Sequence, residues 1–80
     1  MKNFKTASRT TLDIDQNSFN FSTINIDGNT DIVLTSNITI SHVNEYLDLR
    51  GDNITIDGQG FIITVTTGNY PGFIKNGFNN

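Results

Sequence analysis

Apolar and polar residues alternate in short segments along most of this chain, and a period of two is typical of β-strands. The alternating apolar pairs are Phe19 and Phe21, Ile24 and Ile26, Ile38 and Ile40, Leu47 and Leu49, and Ile54 and Ile56. Residues 61–65 predict a further strand, and residues 72–75 predict a short one. Gly, Asp and Asn separate these segments, as expected of tight turns. The pattern therefore predicts an all-β fold.

A short phrase recurs along the chain. Residues 53–58 carry the sequence Asn-Ile-Thr-Ile-Asp-Gly, its core occurs sixteen positions earlier at residues 37–41, and a looser copy lies at residues 23–28. Repetition of one strand-and-turn unit indicates a solenoid, in which each unit buries its apolar face by stacking on the next. The intervals between copies are uneven, so the connecting loops must differ in length.

Equivalent residues of stacked strands form columns with a spacing of about 4.8 Å. Asparagines in such a column bond to each other through their side-chain amides, and isoleucines form an apolar core. We expect Asn37 to lie over Asn53 and the isoleucines of the two phrases to stack likewise. The predicted structural ladder consists of Asn37, Asn53, Ile38, Ile54, Ile40 and Ile56.

An antiparallel arrangement is the alternative. Asp-Gly between two alternating segments is also a hairpin signal, and it would fit a meander or a small β-sandwich with an unrelated interaction role. The repeated phrase favours parallel stacking, because a hairpin gives no reason to reuse the same residues before each turn.

Residues 1–18 are the least regular part of the chain. Leu12 and Ile14 alternate with aspartates and predict one short strand. We interpret residues 1–18 as an N-terminal cap or arm and residues 19–80 as the β-helical part. A disordered tail that contains a single strand is the alternative interpretation.

Composition and charge exclude several classes of function. A net charge of −3 argues against nucleic acid and anionic membrane surfaces, since both need a basic face. The absence of Cys and the single His exclude a disulfide framework and a structural zinc site. No segment resembles a secretory signal or a membrane span. A core of this size without such supports is marginal, so we expect self-association or attachment to a longer chain.

Residues 31–80 resemble the right-handed parallel β-helix repeats of the pectate-lyase-like superfamily. Residues 53–61, Asn-Ile-Thr-Ile-Asp-Gly-Gln-Gly-Phe, are similar to a phrase that recurs in that superfamily. Residues 62–77 resemble the opening turns of β-helix repeat proteins that large DNA viruses of amoebae encode in many copies. The resemblance implies a short right-handed parallel β-helix, or solenoid, and a location in a virion or in the host cytoplasm. Members of the family normally have more turns than this sequence provides, so it is either a shortened portion of a longer member, a small natural member, or one link of an assembly that other chains complete.

Two aspartates are the candidates for a metal site. Asp27 and Asp57 both precede a glycine at the end of a copy of the phrase, and stacked carboxylates form calcium sites. The alternative, which we favour, is that each Asp accepts a backbone N–H in its own turn, because no third and fourth ligands are evident. We therefore expect no metal and no other cofactor.

The remaining polar candidates predict little catalysis. Glycoside hydrolysis needs two carboxylates on one face, which Asp48, Asp52 and Asp57 would have to supply. Arg50 is better interpreted as the solvent-facing partner of Asp48 than as the base of a lyase. His42 has no Ser or Asp placed to form a triad, and we expect it at the surface.

The aromatic residues allow an alternative function in carbohydrate binding. Such residues stack on sugars, but they bury large areas and usually do so in cores. The five candidates are Tyr46, Phe61, Tyr70, Phe73 and Phe78. We predict a non-enzymatic structural module that self-assembles end to end or as a trimer; the alternative is a carbohydrate-binding or polysaccharide-lyase-like fragment.

Overall fold

A computed structural model describes residues 9–76, which form eight short β-strands and one 3-10 helix, with no α-helix. The strands are β1 (Thr10–Ile14), β2 (Ile24–Ile26), β3 (Thr30–Leu34), β4 (Ile38–Ile40), β5 (Leu47–Leu49), β6 (Ile54–Asp57), β7 (Ile63–Val65) and β8 (Ile74–Asn76); the 3-10 helix η1 spans Gln16–Ser18. The prediction of an all-β fold is confirmed.

The strands belong to three small sheets, and every pair is parallel. Sheet A has the order β1-β3-β6, sheet B has the order β2-β5-β8, and sheet C consists of β4 and β7. The antiparallel meander or sandwich is therefore wrong for residues 9–76. Asp27-Gly28 and Asp57-Gly58 turn the chain from one sheet into another and do not close hairpins.

The chain runs in three successive passes; the second and third contribute a strand to each sheet, and the first contributes strands to sheets A and B only. The first pass is β1, η1 and β2, the second is β3, β4 and β5, and the third is β6, β7 and β8. The sequence separation between register partners is smallest for Thr10 and Thr30 and largest for Leu47 and Ile74. Each pass therefore extends sheets A and B by one strand, and the loops absorb the variation in length.

The repeated phrase does not mark equivalent positions of successive passes. Its three copies form β2, β4 and β6, which lie in sheets B, C and A respectively. Ile38 pairs with Ile63 and not with Ile54, and Ile40 pairs with Val65 and not with Ile56. The predicted isoleucine columns are corrected accordingly. The phrase marks one side of a pass, and a full pass is longer than the interval between the second and third copies.

Inward-facing side chains of the first two passes form the core. The buried apolar residues are Ile14, Phe19, Ile26, Ile32, Leu34, Ile38, Ile40 and Leu47. None of them belongs to the third pass, whose Ile54 and Ile63 are only partly buried. Burial thus falls along the chain toward β6, β7 and β8.

The strand predicted from Leu12 and Ile14 is confirmed as β1, which pairs with β3 over its whole length. Asp15 then caps η1, since its side chain accepts the N–H of Asn17 while the Ser18 hydroxyl accepts the N–H of Asp15. Residues 1–8 of the predicted cap or arm lie outside the described part of the chain, so its extent stays a prediction.

Two glycines allow the loops after β2 and β5 to approach each other closely. A Cβ at Gly51 would lie 2.7 Å from the backbone nitrogen of Gly28, and one at Gly28 would lie 2.9 Å from the carbonyl oxygen of Asp52. No larger residue fits at either position without a backbone shift.

Candidate functional site

The predicted calcium ligands do not meet. Asp27 follows β2 in sheet B, whereas Asp57 ends β6 in sheet A, where its register partner is Val33. The Asp57 carboxylate instead accepts the N–H of Gln59 at 3.0 Å, which is the turn role that the sequence offered as the alternative. Residues 9–76 contain no group of three or more potential metal ligands. The structure therefore does not bring the two weak calcium candidates together.

The ion pair predicted between Asp48 and Arg50 is present, but its setting differs from the prediction. The Arg50 Nη2 lies 3.0 Å from the Asp48 Oδ2. Arg50 is exposed, as predicted, whereas Asp48 is buried and its Oδ1 has no hydrogen-bond partner among the described residues. This carboxylate does not face solvent.

The candidate aromatic residues have different surroundings. Phe73 packs on Phe19 with ring centroids 5.7 Å apart, and Tyr70 packs against the core. The Tyr46 ring lies 5.8 Å from the Lys75 Nζ, and Phe61 is exposed. Phe78 lies outside the described residues. The core interpretation is therefore supported for Phe73 and Tyr70.

The two asparagines of the predicted ladder belong to different columns. The Asn53 Nδ2 donates to the Asn29 Oδ1 at 3.2 Å, and both residues have left-handed backbone angles, with φ of 61° and 59°. The Asn37 Oδ1 accepts the backbone N–H of Ile62 at 2.8 Å. The amide contact between passes thus joins Asn53 to Asn29, and Asn37 bonds to the backbone of the third pass. Asn29 follows Asp27-Gly28, a turn signal that the sequence does show.

An arginine just before β1 joins all three passes of sheet A. The Arg9 Nη2 donates to the Asp31 Oδ1 at 2.7 Å and to the Asn53 carbonyl at 2.8 Å. The Thr55 hydroxyl donates to the same Asp31 oxygen at 2.6 Å. The hydrogen bonds from Arg9 and then from Thr55 lower the pKa of Asp31 to about 2.

A buried carboxylate fixes the loop between η1 and β2. The Glu45 Oε2 accepts the N–H of Phe21 at 3.0 Å, and its Oε1 accepts the N–H of Ser41 at 3.2 Å. Burial raises the pKa of Glu45, but the N–H groups of Phe21, Ser41 and His42 outweigh it and bring the pKa below its usual value. The carboxylate therefore acts as an ionised acceptor for backbone donors.

The same loop displays an aromatic ring. Phe21 has a left-handed φ of 62° and an exposed ring, against which His42 packs edge-on at 4.3 Å between centroids. His42 is at the surface, as predicted. The ring borders a polar cleft of about 420 Å³, lined by Gln16, Asn17, Asn20, Phe21, Ser41 and Glu45. Both Glu45 oxygens accept backbone N–H groups, so the cleft presents mainly amides and a hydroxyl.

A tyrosine closes the loop after β7 over the core. The Tyr70 hydroxyl donates to the backbone carbonyl of Glu45. Burial, and then the negative charge of Glu45, raise the pKa of Tyr70 to about 12. The phenol is therefore neutral at ordinary pH and keeps this hydrogen bond between the second and third passes.

A glutamine side chain occupies the outer edge of β4. The N–H of Thr39 donates to the Gln16 Oε1 at 2.6 Å, and the Gln16 Nε2 donates to the Thr39 carbonyl at 3.0 Å. This amide cap, formed by Gln16 on Thr39, satisfies the two backbone groups as a neighbouring strand would. No pattern in the sequence indicated it.

The strands of the third pass are more exposed than those of the first two passes. Among the described residues, β6, β7 and β8 each have a strand on one side only. Ile56, Val65 and Ile74 lie on these strands and are 42%, 44% and 42% exposed. Phe61 and Ile62, next to β7, are exposed as well. We call the outer edges of β6, β7 and β8, with these side chains, the open end.

The open end contains five of the seven large hydrophobic side chains that are exposed among residues 9–76. Strand edges without a neighbouring strand, next to exposed apolar side chains, are a template for pairing with further strands. No helix in residues 9–76 is long and apolar enough to cross a membrane. Comparison of the chain with family models, with curated proteins and with solved structures finds no match.

Proposed function

We propose that this chain is a structural, self-assembling module, a short right-handed parallel β-helix that associates end to end through its open end. The resemblance to viral β-helix repeat proteins suggests a virion or its surface layer as the setting. The open end carries the proposal, because it combines three strand edges with exposed apolar side chains.

The backbone hydrogen bonds between β4 and β7 show which backbone groups of β7 point outward at the open end. The N–H of Ile38 donates to the Ile62 carbonyl, and the N–H of Thr66 donates to the Ile40 carbonyl. Backbone groups alternate in direction along a strand, so the N–H and C=O groups of Ile63 and Val65 point away from β4. These groups are available to a strand of another chain.

Assembly is better supported than the carbohydrate-related alternative. Phe73 and Tyr70, two of the aromatic candidates, pack against the core, and Asp48 is buried beside Arg50. The open end, by contrast, exposes apolar side chains to water, and association with another chain would bury them. Burial of apolar surface is the main driving force of association.

Light scattering after size exclusion, over a range of concentrations, tests the proposal. We expect a species heavier than the 8.9 kDa chain that Val65→Lys converts to monomer, because a charge would enter the apolar interface. The matched control is Val43→Lys, since Val43 is 47% exposed but lies in the turn before β5. A folded monomer at every concentration, or equal effects of both substitutions, would contradict the proposal.

A further inference from the structure

We propose that the open end pairs with the open end of a second copy, so that two chains close into a discrete dimer and do not stack head to tail. This inference rests on the proposed function and names the partner as the third pass of an identical chain. The two ends of the stack differ in a way that selects this arrangement.

The end formed by the first pass is blocked at sheet C. Because Ile38 and Ile40 direct their backbone groups toward β7, Thr39 directs its N–H and C=O toward the other edge of β4. The Gln16 amide takes both groups, at 2.6 Å and 3.0 Å. The backbone N–H of Gln16 in turn donates to the Ser36 hydroxyl at 3.2 Å. A further strand would have to displace this amide cap in order to pair with β4.

The first pass also lacks a strand at the position of sheet C. Between β1 and β2 the chain forms η1, a short 3-10 helix fixed by the Asp15 cap. A third pass that stacked on this end of another copy would bring β7 against η1 and Gln16. The outward N–H and C=O groups of Ile63 and Val65 would then be buried without partners, which is unfavourable.

The open end, in contrast, has a strand at each sheet position. When two open ends meet across a two-fold axis, β6, β7 and β8 of one chain face only strands of the other. The facing strands run antiparallel, and antiparallel edges form hydrogen-bonded ladders at least as good as parallel ones. A two-fold contact uses the same surface on both chains and therefore closes.

The surface used is continuous with one that already exists inside the chain. The open end is the outer side of β6, β7 and β8. The inner side of the same strands already pairs with β3, β4 and β5. A partner that offers one extended segment would cover one of the three edges and leave the other two in water. A second copy supplies strands to all three edges at once.

Sedimentation equilibrium of the chain separates this inference from the proposed function. We expect the mass to rise with concentration and to level off at twice the 8.9 kDa mass of the chain. A mass that continues to grow would overturn the open-end dimer but leave self-assembly intact. A monomer throughout would overturn both.

A mixing experiment tests the orientation directly. Val65→Pro removes an outward N–H of β7 while it leaves the hydrogen bonds to β4 in place, which strands tolerate at an edge. We expect fluorescently labelled Val65→Pro to be a folded monomer that does not enter wild-type dimers at concentrations where the wild type is dimeric. Head-to-tail stacking predicts the opposite result, because the first pass of the variant is intact and would accept a wild-type third pass.

Incorporation of the labelled variant into wild-type oligomers would therefore overturn the inference. Circular dichroism and a cooperative thermal transition verify that the variant is folded. If Val65→Pro does not fold, labelled Val65→Lys takes its place in the same mixture, since it changes the open end and leaves the backbone donors unaltered.

Discussion

Many polar side chains of residues 9–76 bond to the backbone of another pass. Gln16 completes the edge of β4, Asn37 accepts the N–H of Ile62, and Asn44 donates to the carbonyl of Phe21. Glu45, in the second pass, accepts the N–H of Phe21 in the first. Such bonds satisfy backbone groups beyond the ends of the short strands, where no neighbouring strand can do so. They explain why the chain contains many amide side chains.

The amide cap gives a prediction at the residue scale. Gln16→Ala leaves Thr39 without either partner, and we expect the free energy of unfolding to fall by about 1–2 kcal/mol. Gln16→Glu keeps an acceptor for the Thr39 N–H but loses the donor to the Thr39 carbonyl, so its loss should be smaller. Urea unfolding of the three proteins measures the order, and equal stabilities would contradict the role of the cap.

The Asp31 carboxylate gives a prediction on pH. Its pKa is lowered to about 2 in the folded chain, from an ordinary value of 3.8. A lowered pKa stabilises the fold above the unfolded value, and this contribution is lost as the pH falls from about 4 to about 2. We expect the midpoint of thermal unfolding to drop in that window and to drop less in Asp31→Asn.

Thr55→Val provides the control for this titration. It removes one of the two side chains that donate to Asp31 and leaves Arg9 in place. The pKa of Asp31 in the folded variant should therefore be lowered less, so the loss of stability in acid should be smaller than in the wild type and complete at a higher pH. An acid profile that neither substitution alters would show that Asp31 does not contribute to it.

At the scale of strands, equivalent residues of the repeated phrase differ in burial. Ile40 on β4 is fully buried, whereas Ile56 on β6 is exposed on the open end. We expect Ile40→Ala to lower the free energy of unfolding by about 2–5 kcal/mol and Ile56→Ala to lower it by roughly 1 kcal/mol or less. The measurement is made at low concentration, where association does not protect Ile56, and similar losses would contradict the strand assignment.

The sequence predicted the strands better than it predicted their neighbours. Alternation located β1, β2, β4, β5 and β6, because the apolar side chains of each strand lie on one of its two faces. It could not predict that Ile38 pairs with Ile63, since pairing depends on the loop lengths that close each pass, and these lengths differ between passes. Successive copies of the phrase lie on different sides of successive passes, so their spacing is shorter than a full pass.

The candidate site shows the same limit. Exposed apolar residues on β7 and β8 have the same sequence pattern as buried ones on β4, and only the order of the strands in the sheets distinguishes them. The amide cap was not predictable either, because Gln16 and Thr39 are far apart in the chain. The Asn53 amide found a partner in another pass, as predicted, but at Asn29.

At the scale of the whole molecule, the third pass is less buried than the first two. Association through the open end would bury Ile56, Val65 and Ile74, which the single chain leaves exposed. Since folding and association are then linked, stability should depend on concentration. We expect the midpoint of thermal unfolding to rise with concentration in the wild type and to be independent of it in Val65→Lys.

Calorimetry over a wide range of concentrations measures this dependence. Val43→Lys should behave as the wild type, because Val43 lies in a turn of the second pass and outside the open end. A wild-type midpoint that does not change with concentration would indicate that the open end stays exposed to water.

The three sides of each pass also constrain how such a chain can lengthen in evolution. Duplicating the segment from one copy of the phrase to the next, residues 37–52, would add only part of a circuit, and every later strand would move to the wrong sheet. The segment 30–53 begins at Thr30 and ends just before its register partner Ile54. Its duplication would add one complete pass and keep every later strand in its own sheet. Gene duplication would therefore lengthen the stack in units of a full pass, even though the most visible repeat in the sequence is shorter.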